Sequence, residues 1–299
     1  MSTPMETITA ETEIERAGFR WLEGDGGVRA VACAPLEREG FANAFSTRGG
    51  GVSPFPEGSL NLAGFDQDSA ENIRENRRRF TSALGGGWKL ATVWQVHGAD
   101  VLVVRDPEDP RPDDERCDAL ATNLKGVLLG VKTADCVPVV IGDPKAGACA
   151  AVHAGWRGTL AEILGRALAR MREEFGTNPS DVRAALGPAA LGCCYEVGAD
   201  VVEPFRAKFE GADYLFKRTG AGHALIDLHE ANRRQLVEAG VRPERIHALP
   251  LCTMCRPDLF FSYRQDRKLY GRTGRLLSVI GIQPGSAGIP ARQSVRQHA

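Results

Sequence analysis

The stretch Ala148-Cys149-Ala150-Ala151-Val152-His153-Ala154-Gly155-Trp156-Arg157-Gly158 sets the fold. Its first five residues are small and apolar, as a strand buried on both faces requires. Gly155 interrupts the run, and a helical pattern starts at Gly158. Leu160, Ile163, Leu164, Ala167, Leu168, Met171 and Phe175 recur at helical spacing and predict a helix over Gly158–Phe175. Thr159 and Glu162 stand at capping-box spacing, and Gly176 closes the far end. His153 therefore ends a strand at the mouth of a helix, a rigid mount beside an accessible turn.

Outward from there, Ser69–Leu84 and His229–Ala239 read as further helices, each closed by a glycine. Strands are expected at Val28–Cys33, Leu90–Val96, Val101–Val104, Val127–Val131, Val137–Ile141, Val182–Leu186 and Ile246–Leu251. Hairpin-length gaps mixed with helical crossovers predict the α/β class, as a mixed-sheet α/β sandwich. One domain over residues 18–283 is expected, between a flexible N-terminal segment 1–17 and a flexible tail 284–299 rich in Gly, Pro, Gln and Arg.

The 299 residues carry a formal net charge of -1, with 43% hydrophobic and 25% charged residues. No global field draws the chain to nucleic acid or to an anionic membrane. The N-terminus lacks the pattern of a secretory signal, and no apolar run is long enough to span a bilayer. Eight cysteines in a chain of this length suit a reducing cytoplasm better than a disulfide scaffold.

Three segments each place a soft ligand at a strand end or turn: Trp94-Gln95-Val96-His97-Gly98, Thr133-Ala134-Asp135-Cys136 and the stretch around His153. His97, Cys136 and His153 together would suit a catalytic zinc with its fourth position open to a water, whose pKa such an ion lowers to about 7. Asp135 would serve as an acid/base partner, although successive strand residues face opposite ways. Spacing alone leaves two other readings open: a buried cysteine with two hydrogen-bonded histidines, and a Cys136 nucleophile activated by His153.

Cys193-Cys194 and Cys252-Thr253-Met254-Cys255 offer four more thiols. They would fit a closed structural zinc site, but a vicinal pair is not the usual knuckle, and buried free thiols are the plainer reading. Phe45–Ser53 is a Gly-rich loop whose Arg48, Gly49 and Gly50 would line an anion site, with Asn61 following. A solvated loop is the plain alternative. Trp94 and Trp156 flank the two histidines and would wall a pocket for a planar ring, or pack in the core.

Taken together, Phe45–Ser53, Trp94–Val101, Thr133–Val139, Val152–Gly158, Gly187–Val197 and Leu251–Arg264 resemble the bacterial laccase-domain family. Its members are called polyphenol oxidase, purine nucleoside phosphorylase or peptidoglycan editing factor. The resemblance runs from about Arg29 to Ile282. It implies a fold similar to the catalytic domain of cytotoxic necrotizing factors and a zinc ion on His97, Cys136 and His153. It also implies phosphorolysis of adenosine, inosine, guanosine or methylthioadenosine, with adenosine deamination beside it. Arg48 would hold phosphate, and Gln95 and Arg157 would join Gly49, Gly50 and Asn61 as substrate contacts. The run Gly187-Pro188-Ala189-Ala190-Leu191-Gly192 departs from the family pattern, where an Ile-Gly-Pro-like run precedes the vicinal cysteines.

Copper is the less favoured metal. Four-copper oxidases need roughly ten histidines, given the preference of copper for imidazole; this chain has six. The competing activity is amide hydrolysis, removing L-serine from a UDP-muramyl precursor, and the third reading is a non-enzymatic binding module. The expected partners are a nucleoside and phosphate, without nucleic acid or membrane, in a monomer or small homo-oligomer.

Overall fold

The computed structural model describes residues 10–63, 68–85, 87–106, 115–220 and 222–284. Two six-stranded mixed sheets stack face to face. The first runs, in spatial order, Phe19–Glu23, Arg29–Cys33, Phe41–Ser46, Leu276–Ile282, Val127–Thr133 and Lys89–Ala91. The second runs Ile246–Ala248, Arg183–Leu186, Val137–Asp143, Ala148–Ala154, Ala119–Thr122 and Val101–Val103. Each sheet combines antiparallel ladders with parallel pairing at an edge.

The hairpin of Val137–Asp143 and Ala148–Ala154 lies at the centre of the second sheet, and every one of its strand residues is buried. Alternation explains why it reads as a continuous apolar run. Val137, Val139, Ile141, Ala148, Ala150 and Val152 pack under Ile163, Leu164, Ala167, Leu168 and Met171. Val140, Cys149 and Ala151 face the other way, onto Val131 and Ile280 of the first sheet. On the far side of the first sheet, Phe80 of the helix Ala70–Ser82 joins Ala30, Leu128, Leu277 and Val279. The result is an α/β sandwich in which small residues let the sheets approach.

Local differences from expectation have clear causes. The helix Gly158–Phe175 is broken into Trp156–Leu160 and Ile163–Phe175, because Glu162 takes a left-handed φ of 59°. Thr159 does not cap; its hydroxyl pairs with Asn232. The strand expected at Leu90–Val96 ends at Ala91, and the chain continues as the loop that carries His97. Of the terminal segment 1–17, residues Ala10–Arg16 form a helix with Ile14 fully buried, and residues 1–9 lie outside the described residues. Of the tail 284–299, only Pro284 is described. Among the described residues no helix is long and apolar enough to cross a membrane.

Candidate active site

His97, Cys136 and His153 converge. Their ligand atoms all lie within 4.8 Å of one another, with His97 exposed, Cys136 intermediate and His153 buried. Pairing in the central hairpin is the reason two of them meet. Pro138 stands opposite His153, so Cys136, immediately before that strand, comes to the same end. His97 arrives separately, in a turn where it holds φ 60°. Its Nε2 lies 3.9 Å from Cys136 Sγ, and its ring meets His153 edge-on at 4.9 Å.

Asp118 fastens these two arrivals together. It is fully buried. Its carboxylate accepts from the backbone N–H groups of Val96, His97 and Gly98 at 3.1, 2.9 and 2.7 Å. It also meets His153 Nδ1 at 2.7 Å. Those three amides hold His97 in its left-handed conformation, which is uncommon for a residue with a side chain. Because Nδ1 donates to Asp118, the Nε2 lone pair of His153 is left for a ligand. Burial works against charge on Asp118, but the pairing with His153 and the amides prevail and keep its pKa below the ordinary range.

Burial alone would push the Cys136 thiol up; the His153 and His97 imidazoles outweigh it and bring it to about 6. Burial would likewise lower His153, but Cys136 and Asp118 raise it to about 9. Each group thus favours charge on the other, and a cation bound at Nε2 of His153 would take the place of the proton there. A thiolate with two imidazoles is a donor set suited to zinc, for which ideal tetrahedral bonding places sulfur and nitrogen roughly 3.5 Å apart. Gly155 leaves the necessary space. A Cβ there would lie 3.1 Å from Cys136 Sγ and 3.1 Å from His97 Cδ2. The residues present thus fit a metal ion. Gly155→Ala has an ordinary backbone conformation to adopt, so its effect falls on the cradle: metal affinity is expected to drop about tenfold with little loss of fold, the range seen when ligands are mis-oriented, as checked by chelator competition and thermal unfolding.

Asp135 does not join the trio. Its φ is 93°, and its carboxylate turns to Thr253 Oγ1, Ser262 Oγ and the Arg264 amide at 2.7, 3.1 and 2.7 Å. It is a buried anchor for the 253–264 loop, at a position where an acid/base partner was expected. Burial raises its pKa against the pull of those three donors.

The expected substrate contacts are similarly engaged elsewhere. Arg48 donates to the carbonyls of Pro257 and Phe260 at 2.8 and 3.4 Å and stacks on Phe261. Gly49–Pro54 is a strand paired with Glu57–Ser59, not an open anion loop. Gly50, at φ 87°, lets the backbone of Gly27 and Val28 approach. Asn61 Oδ1 accepts from the amides of Ala63 and Arg275. Gln95 exchanges two hydrogen bonds with the Lys132 backbone, tying the His97 loop to the first sheet. Arg157 is exposed and lies over Trp156. Trp94 is 49% exposed, so it is not a core residue.

Sequence reasoning missed Asp118, Tyr195 and Arg264. Asp118 had only the signal of an acid directly before an apolar strand. Arg264 stacks on Tyr195 at 4.9 Å and donates to the Glu196 carbonyl. Burial, and then the proximity of Cys136, raise the Tyr195 phenol to about 12. Tyr195 thus lies between the exposed Arg264 guanidinium and the Cys136 end of the trio.

Residues 42–283 match the family described as multi-copper polyphenol oxidoreductase laccase. The chain belongs to this family. As a laccase-domain protein it has relatives named for another activity. The purine nucleoside phosphorylase of Deinococcus radiodurans is 40% identical over 242 residues, covering 80% of this chain and 88% of the relative. The purine nucleoside phosphorylase YlmD of Geobacillus stearothermophilus is 37% identical over 261 residues, covering 84% and 93%. The crystal structure of YlmD from Geobacillus stearothermophilus superposes with a TM-score of 0.78 at 36% identity, over 85% of this chain and 96% of that one. The Bacillus licheniformis hypothetical protein YfiH gives 0.78 at 31% identity, with the same coverage. This laccase-domain chain therefore shares the mixed α/β fold of both.

Proposed function

We propose that this chain is a zinc-dependent purine nucleoside phosphorylase. The observation that carries the reading is the convergence of His97, Cys136 and His153 to within 4.8 Å of one another, with His153 held by a buried carboxylate. The names of its relatives supply the reaction class. Inosine, guanosine, adenosine and methylthioadenosine are the proposed nucleosides, with adenosine deamination as a side activity. The eight cysteines lie free, in keeping with a reducing cytoplasm.

Phosphorolysis asks for placement and charge stabilisation more than for covalent work by the protein. When bound, zinc would supply Lewis acidity at the fourth position. Asp118 keeps the His153 proton at Nδ1 and so fixes the ring for ligation. Arg264, braced by Tyr195, presents charge-assisted donors to the phosphate at the rim. Arg264→Ala is therefore expected to raise the KM for phosphate about tenfold, the scale of one lost charge-assisted hydrogen bond, while kcat changes less; steady-state kinetics with varied phosphate checks this.

The test is direct. Purified protein incubated with inosine and phosphate releases hypoxanthine and ribose 1-phosphate. A chelator that strips the metal stops the reaction, and zinc restores it. Full turnover by the stripped protein, or restoration by copper with oxidation of a phenol, rejects the proposal.

One observation favours a second reading. Cys136, His153 and Asp118 form a thiolate–imidazolium–carboxylate series that suits nucleophilic amide hydrolysis. Release of L-serine from a UDP-muramyl precursor by stripped protein would support it, since that chemistry needs no metal.

A further inference from the structure

We propose that Cys193, Cys194, Cys252 and Cys255 form a second, closed metal site that holds a structural zinc ion. The function above makes no use of these residues. Their sulfur atoms all lie within 4.8 Å of one another. Cys194 Sγ is 3.3 Å and Cys193 Sγ 3.7 Å from Cys255 Sγ. A disulfide would need about 2.05 Å, and all four cysteines are free. Four thiolates bonded to zinc at about 2.3 Å stand roughly 3.8 Å apart in a tetrahedron, so the observed spacing already approximates that shell.

The backbone is arranged to present the sulfurs. Two turns meet through an Ala189–Cys252 bridge and the Thr253 N–H to Ala189 carbonyl bond of 2.9 Å. The Leu191 amide points at Cys252 Sγ from 3.5 Å. Burial opposes charge on Cys252, but the N–H groups of Leu191, Cys255 and Met254 outweigh it and hold the thiol below its ordinary value. Desolvation and the neighbouring sulfurs raise Cys193 and Cys194. A metal ion would take these four sulfurs as thiolates. Loading releases those protons to solvent and requires no oxidant. Four protein donors leave no open position, which makes the role structural.

The site would clamp the floor of the first one. Thr253, between two of the four ligands, donates to Asp135, and the Ala190 amide donates 2.9 Å to the Asp135 carbonyl. Cys136 is the next residue. An ion here fixes the loop from which that ligand projects.

The experiment uses full-length His97→Ala/Cys136→Ala protein, in which the first site is gone. The expected result is one retained equivalent of zinc. Cobalt exchanged in its place gives the sulfur charge-transfer band and intense visible bands of a tetrahedral tetrathiolate. Adding Cys194→Ser/Cys255→Ser removes both. As a check that needs no variant, wild-type protein should yield a second equivalent of zinc that is released only when a mercurial blocks the thiols. The proposal is overturned if the His97→Ala/Cys136→Ala protein takes up no cobalt under reducing conditions. It is overturned equally if cobalt keeps the same spectrum after Cys194→Ser/Cys255→Ser, or if intact mass shows a disulfide among the four instead of an ion.

Discussion

Cys136→Ala and His153→Ala are each expected to lower kcat/KM for inosine phosphorolysis by about a thousandfold or more. A metal contact at a reacting centre supplies several kcal/mol of stabilisation, and each 1.36 kcal/mol is about tenfold in rate. Both variants should lose the first-site ion, and neither should lose the fold. Cys136 is only partly enclosed, and its substitution removes one sulfur at the sheet end. His153→Ala leaves Asp118 with its three amide donors, so the His97 turn survives. The readouts are metal content, a coupled phosphorolysis assay and thermal unfolding. Retained activity in a metal-free Cys136→Ala protein would end the proposed mechanism.

Asp118→Ala carries the largest expected cost to stability. The substitution orphans the amides of Val96, His97 and Gly98 and leaves His153 unpaired in a buried place. Breaking a buried pair of this kind costs about 3–5 kcal/mol. Denaturant midpoints at neutral pH measure the loss. Asp118→Asn separates folding from function: its amide oxygen still accepts backbone hydrogen bonds, but the carboxylate that orients His153 is gone. Metal affinity should fall by about 10- to 100-fold, as for other second-layer carboxylates, with a smaller change in the denaturant midpoint. If Asp118→Ala unfolds at the wild-type midpoint, the carboxylate does not organise the site.

Much of this was legible before folding. The apolar run Ala148–Val152, the helical spacing after it and the hairpin gap before it define the centre of the second sheet, because buried elements write their period into the sequence. The trio of His97, Cys136 and His153 was legible as chemistry and as a family resemblance, but its geometry depends on a cross-strand register that spacing does not encode. Asp118 was invisible for the same reason: its four partners lie some 20 or more residues away along the chain. The glycine-rich segment misled because an anion loop and a tight β-ribbon demand the same residue type. The carbonyl partners of Arg48 lie more than 200 positions further on, beyond the reach of any local pattern. The break at Glu162 went unseen since apolar periodicity continues across it.

The antiparallel pairing of Pro138 with His153 also governs where the chain tolerates a change of length. A single residue added inside Ala148–Ala154 would rotate the imidazole to the helical side of the sheet, since side chains alternate along a strand. The far end of the hairpin is permissive by comparison. There Asp143 Oδ1 closes the turn by accepting from the amides of Lys145 and Ala146. Insertions at Lys145–Gly147 would lengthen the reach of the turn into solvent without shifting any donor atom, whereas the opposite end can accept none. The molecule thus has one edge open to evolutionary tinkering and one frozen by arithmetic.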